Sequence, residues 1–139
     1  ITERRGAIVV ISSTAGYAPL LGRTGYAASK HALHGFFATL RTELPGTVDV
    51  MIAAPSFIDT KLRHHTLDGD GEITDHPQAR VGKMASPEDV AERIVWGVER
   101  RRSTIVLGSV GVFSRYLNAL APHIYERMMT RSLGSELEH

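Results

Sequence analysis

Residues 7–12 read Ala-Ile-Val-Val-Ile-Ser, five consecutive apolar side chains followed by a serine. Successive side chains in a strand point to opposite faces, so a run without polar alternation cannot leave one face in water. Such a strand has to be covered above and below, which is the environment of a parallel sheet flanked by helices. The pattern returns twice. Residues 48–54 (Val-Asp-Val-Met-Ile-Ala-Ala) stop at Pro55, and residues 104–107 (Thr-Ile-Val-Leu) stop at Gly108.

Helical periodicity fills the intervals. Tyr26, Leu33, Phe37, Leu40 and Leu44 recur at spacings of three, four and seven, and Pro45-Gly46 ends the pattern, so residues 26–44 are predicted helical. A second helix is predicted from Ser86-Pro87-Glu88-Asp89 to about Arg101, with Val90, Ile94 and Val98 on one face. Ser86 is its cap, Pro87 suits the first helical position, and Asp89 is a capping-box partner. Residues 56–85 read as loop, with Asp68-Gly69-Asp70-Gly71 a turn cluster. Residues 112–131 are helical in pattern through Phe113, Tyr116, Leu117, Leu120, Ile124 and Met128, with Pro122 expected to kink or split them.

Strand–helix–strand–helix–strand implies parallel strands joined by right-handed crossovers. The expected fold class is α/β: a partial doubly wound, Rossmann-like parallel sheet of about three strands, with flanking helices and a C-terminal helical extension. Residues 1–111 form the sheet-bearing domain, 112–131 the extension and 132–139 a tail. The end of that tail, Leu137-Glu138-His139, resembles the start of a purification tag. An apolar strand such as 7–12 is a poor natural edge. A neighbour is therefore expected beside it, either an absent half of the fold or a second copy.

Composition narrows the function. Across 139 residues the net charge is +1, with 16 Lys/Arg against 15 Asp/Glu, and nothing global points to nucleic acid. The basic run Arg100-Arg101-Arg102 complements the end of a helix dipole. The absence of cysteine excludes disulfides, thiolate metal sites and a Cys nucleophile, and agrees with an expected cytoplasmic location. No apolar run approaches the ~20 residues that cross a bilayer, and Ile1-Thr2-Glu3-Arg4-Arg5 lacks the apolar segment of a signal peptide. The aromatic and Met stripe of 112–131, with Arg115, Arg127 and Arg131, could lie on a membrane surface, but docking on the protein body is the expected reading, and no membrane partner is expected.

The chemistry centres on Tyr26-Ala27-Ala28-Ser29-Lys30. Residues four apart share a helix face, so the ammonium of Lys30 lies beside the Tyr26 ring. A nearby ammonium favours the phenolate and makes a phenol a workable acid/base. Ser13 stands thirteen residues earlier, at the C-terminal end of the first strand, which is where open α/β sheets bind ligands. Alone, Tyr26 and Lys30 could be an amphipathic surface pair. Tyr17 is a rival base, but position 21 is Leu, so it lacks a cation and more simply lines the substrate loop. Ser29 reads as a helix-packing residue, and His31 and His34 as residues of a packing or dimer face. His64, His65 and His76 have no chelating spacing, and no metal site is expected. A serine hydrolase is disfavoured, because there is no Gly-x-Ser-x-Gly elbow and no His clearly able to serve Ser13.

Ile11-Ser12-Ser13-Thr14-Ala15-Gly16, followed by Tyr26-Ala27-Ala28-Ser29-Lys30-His31-Ala32-Leu33, resembles the active-site stretch of short-chain dehydrogenases/reductases. That family carries a Ser and then Tyr-x-x-x-Lys at this separation. The segment Pro55-Ser56-Phe57-Ile58-Asp59-Thr60 is similar to the family's Pro-Gly segment, with Ser56 in place of the Gly. The resemblance covers residues 6–108. It implies hydride transfer between NAD or NADP and a small-molecule carbonyl or alcohol. Tyr26 would be the acid/base. Lys30 would favour its phenolate and hold the nicotinamide ribose, and Ser13 would position the substrate oxygen. Tyr26, Lys30, Pro55, Ser56, Ile58 and Thr60 would line the cofactor, with a backbone contact from Ile58 to the carboxamide. Helix 26–44, with its second flank of Ala32, Leu33, Phe36 and Phe37, would form a homodimer. The family's glycine-rich dinucleotide turn has no counterpart in residues 1–139, so the sequence reads as the catalytic and C-terminal half of such an enzyme, expected to be inactive by itself. The alternative is a non-catalytic scaffold or interaction domain of the same ancestry.

Overall fold

The computed structural model describes residues 6–60, 72–73 and 82–134. Three parallel strands, β1 (Ala7–Ile11), β2 (Asp49–Pro55) and β3 (Thr104–Leu107), lie in the order β1-β2-β3. Their register pairs Val10 with Ile52 and Ala53 with Ile105. The helices are α1 (Thr24–Glu43), α2 (Pro87–Glu99), α3 (Ser109–Leu120) and α4 (Pro122–Leu133), and a 3-10 turn spans Thr14–Gly16. This is the expected α/β architecture of parallel strands flanked by helices.

β2 is the centre of the core. Val50, Met51, Ile52, Ala53 and Ala54 are all buried, so both of its faces are covered, as its unbroken apolar run requires. Its small residues let the flanking helices approach closely. Gly97 of α2 does the same, since a Cβ there would stand 2.8 Å from Met51 Sδ. Among the described residues the outer edge of β1 has no strand partner, and Ile11 at its end is half exposed.

Element ends match the sequence reading or differ from it by at most three residues. α1 begins at Thr24, two residues before Tyr26. α3 begins at Ser109 rather than 112, because Gly108 adopts a φ of +90° that lets the chain turn from β3 straight into a helix. Pro122 splits the last helical stretch: α3 ends at Leu120, Ala121 leaves helical geometry at φ −145° and ψ 66°, and Pro122 opens α4, where its missing N–H costs nothing. The turn cluster 68–71, His64, His65, His76 and the tag-like residues 137–139 lie outside the described residues. Of the basic run, Arg100 and Arg102 stack on Trp96, while Arg101 pairs with Asp49 at 3.5 Å.

Ser86 caps α2 as its sequence suggests, its Oγ accepting the Asp89 N–H at 3.0 Å. Ser86→Ala is expected to cost about 1 kcal/mol in chemical denaturation. An unchanged midpoint would mean that the cap is idle.

The three strands end on one rim. Ser12 N–H donates to Ala53 O at 2.7 Å and Ser56 N–H to Leu107 O at 3.1 Å, carrying the parallel pairing past each strand end. α3 docks onto this rim: a Cβ on Gly111 would meet Thr14 Cγ2 and Val106 Cγ1. Asn118 of α3 donates to Tyr17 O at 3.0 Å, and Tyr125 of α4 donates to Pro19 O at 3.1 Å. Burial pushes the Tyr125 hydroxyl up, opposed by its hydrogen bond with Ser114. Among the described residues no helix is long and apolar enough to cross a membrane.

Candidate active site

Tyr26, Lys30 and His34 follow one another at intervals of four on α1, so they share one stripe of the helix. That stripe faces the end of β1. The ammonium of Lys30 lies 5.5 Å from the centre of the Tyr26 ring, within the range of a cation–π contact. It also donates to the carbonyl of Ile11, the last residue of β1, at 3.4 Å. The strand thus holds the ammonium beside the phenol, and the ring itself is partly open to solvent.

Ser13 follows two residues after Ile11. It is extended and caps the 3-10 turn, its Oγ accepting the Ala15 N–H at 3.2 Å. A hydroxyl that accepts one such bond still has its own proton to donate. Ser13 and Ile11 therefore bring a hydroxyl and the Lys30 anchor onto the same strand end.

The segment 55–60 lies on the neighbouring strand end. Ile58 forms an isolated parallel bridge with Ala85, through Asp59 N–H to Ala85 O and Ala85 N–H to Phe57 O, both 3.0 Å. In that pattern the N–H and C=O of Ile58 point away from Ala85, and no backbone hydrogen bond is made to either among the described residues. A planar amide with one donor and one acceptor fits such a pair. Pro55 closes β2, Ser56 packs against Gly108 and Gly111, and Thr60 is exposed. No hydrogen bond joins this segment to Tyr26 or Lys30 among the described residues.

Several neighbouring residues depart from the sequence reading. Ser29 does not pack; it is exposed, and its hydroxyl donates to Tyr26 O at 2.7 Å within the helix. His31 is exposed, with Nδ1 2.9 Å from Ala27 O. His34 lies on the packing face, and its Nε2 is 2.7 Å from the buried Oγ of Ser12. Its ring meets Tyr17 edge-on at 4.2 Å, and the Arg115 guanidinium covers the Tyr17 ring, 4.6 Å from its centre, so Tyr17 does have a cation beside it, supplied by α3 rather than by its own sequence neighbourhood. The Ser12–His34 contact escaped the sequence reading, although the four-residue interval from Lys30 already put His34 on the Tyr26 stripe. Among the described residues no group of three or more His, Cys, Asp or Glu could hold a metal ion.

Burial holds His34 below its ordinary value, helped by the like charges of His31 and Arg115. The folded chain thus takes up this proton less readily than the unfolded one. Below pH of about 6.5 unfolding gains a proton at this position, so stability falls as pH drops through that region and is level above it. His34→Gln is expected to flatten this acid limb in a pH series of denaturation midpoints. An unaltered limb would assign the acid loss to other groups.

Residues 1–70 match the family model for short chain dehydrogenase. The chain is 39% identical over 138 residues to dehydrogenase/reductase SDR family member 7B from Xenopus tropicalis, covering 98% of this chain and 45% of that protein. It is 32% identical over 133 residues to dehydrogenase/reductase SDR family protein 7-like from Anopheles gambiae, covering 94% and 42%. The chain spans less than half the length of these curated relatives. A short-chain dehydrogenase from Burkholderia cenocepacia, solved in complex with NADP, superimposes with a TM-score of 0.73 over 92% of this chain and 48% of its own, and at 17% identity the likeness is one of fold. Serine dehydrogenase from Escherichia coli gives a TM-score of 0.50 at 28% identity, over 76% of this chain and 41% of its own.

Proposed function

The chain belongs to the short-chain dehydrogenase family, and from that premise we propose that it carries the proton-transfer site of an NAD(P)-dependent oxidoreductase interconverting a carbonyl and an alcohol. The observation that carries this reading is the Lys30 ammonium held 5.5 Å from the Tyr26 ring while bonded to the end of β1. Tyr26 gives its proton to the substrate oxygen in reduction and takes it back in oxidation. Lys30 supplies the positive charge beside which a phenolate can form. Ser13 donates its hydroxyl proton to the same oxygen and holds it in front of the phenol.

A bound nicotinamide supplies the hydride. The residues present fit its carboxamide end: Ile58 offers a backbone N–H and C=O that bond to no other described residue, with Pro55, Ser56 and Thr60 beside it in the segment. Lys30 is the group for the ribose hydroxyls. No glycine-rich strand–turn–helix for a pyrophosphate occurs in residues 1–139, so the chain by itself is proposed to be inactive. The exposed Phe36 on α1 supports a homodimer through that helix.

The test is isotopic. The full-length protein, given NADPH deuterated at the transferring carbon and a panel of aldehydes and ketones, is expected to move deuterium to the carbonyl carbon, while residues 1–139 alone leave it on the cofactor. A full-length protein that binds NADPH yet transfers no label to any carbonyl would favour the scaffold reading.

A further inference from the structure

We propose that His34 is a positioning residue for Ser13, acting through Ser12. The inference rests on the oxidoreductase reading and extends it to a residue that touches neither substrate nor cofactor. Successive turns of α1 grip successive residues of the strand end: Lys30 takes the Ile11 carbonyl at 3.4 Å, and His34 takes the Ser12 hydroxyl at 2.7 Å. Ser13 is the next residue. Its distance and direction from Tyr26 are therefore set by the register of α1 against β1, and the Ser12–His34 bond is the side-chain pair that locks this register on the sheet side.

Three further observations make the contact specific. Ser12 is 4% exposed, so its hydroxyl has no water to replace a lost partner. A Cβ on Gly16 would stand 2.6 Å from His34 Nε2 and 3.0 Å from Ser12 Oγ, so the turn that Ser13 caps is shaped to admit the imidazole. Tyr17, which ends that turn, packs edge-on against the ring and is held from behind by Arg115 and Asn118 of α3. His34 thereby touches both sides of Ser13, the strand before it and the turn after it. The burial of Ser12 removes a nucleophilic role for this Ser–His pair, since no substrate reaches the hydroxyl.

The experiment uses the full-length protein, NADPH and phenanthrenequinone, an aromatic diketone, as the probe substrate. His34→Leu, which keeps bulk but cannot hydrogen-bond, is expected to lower kcat about 10²-fold, the effect of a misplaced reacting group, with the KM for NADPH unchanged. His34→Gln, whose amide reaches the same hydroxyl, is expected to restore most of the rate. Ser12→Ala is expected to match His34→Leu, and the double variant to be no worse than either single one. Amide exchange over residues 12–17 is expected to rise in His34→Leu and Ser12→Ala, and to stay at the wild-type level in Tyr26→Phe. A role confined to stability would lower the melting temperature and leave kcat and local exchange as they were, which would overturn the proposal, as would a Gln variant as damaged as Leu. If His34→Leu does not fold, Ser12→Ala and His34→Gln decide the same question. A wild type that binds neither NADPH nor NADH, and reduces the probe with neither, removes the oxidoreductase reading instead. In that case the exchange rates stand apart: unchanged exchange in His34→Leu also ends the positioning role.

Discussion

Tyr26→Phe is expected to lower turnover of the full-length protein by roughly 10²- to 10⁴-fold, the usual worth of a positioned general acid or base. The substitution removes one oxygen and leaves the ring on which the Lys30 ammonium rests. Tyr26 is 44% exposed, and none of its side-chain atoms is needed by a core contact, so the melting temperature should stay within a degree or two. NADPH affinity should fall far less than turnover, because the other cofactor-lining groups are untouched and Lys30 keeps its bond to Ile11 O. A loss of rate with intact fold and cofactor binding assigns the missing oxygen to the chemistry. Turnover within about threefold of wild type would remove Tyr26 from the acid/base role. In that event Tyr17 would be the next phenol to substitute, although it faces His34 and Arg115 and has no Lys beside it.

The largest effect on stability is expected at the middle of β2. Ile52 is 3% exposed, pairs with Val10 on one side and Thr104 on the other, and sits in the strand that both helix layers cover. Ile52→Ala removes three buried carbons and leaves a cavity that two hydrogen-bonded neighbours prevent from collapsing, so a cost of about 2–5 kcal/mol is expected. Ile52→Val, which removes one carbon, should cost about 0.5–1.5 kcal/mol. Since whole domains are stable by only about 5–15 kcal/mol, the Ala variant should unfold at markedly lower denaturant, and Val should lie between it and wild type. Equal midpoints for the two variants would mean that β2 is not the packed centre of the sheet.

The two substitutions separate what is local from what is collective. The Tyr26–Lys30 pair was legible because a spacing of four on a helix places side chains together whatever the helix packs against. The strands were legible because apolar, β-branched runs suit a parallel sheet, but only β2 is hidden on both faces; β1 leaves Ala7 and Ile11 exposed and β3 is half-buried. The starts of α2 and α4 were legible from Ser86-Pro87 and Pro122, since capping and the missing proline N–H are properties of neighbouring residues. The start of α3 was not, because it depends on the backbone sign at Gly108 rather than on hydrophobic period. Ser29 was misread because a small residue before a Lys looks like packing, while its hydroxyl had a nearer partner in its own helix.

By itself, then, the amino-acid sequence determined the class of fold, the order of its elements and the phenol–ammonium pair, all of which follow from periodicity, caps and spacing within a few residues. Tertiary structure alone decided that Lys30 anchors on the Ile11 carbonyl, that His34 reaches Ser12 across 22 residues of chain, and that Asn118 holds the Tyr17 carbonyl from 101 residues away. Those contacts come from how α1 and α3 settle against the sheet, and no periodicity records that settling. Side chains distant in sequence meet only where packing of the shared core brings their elements together.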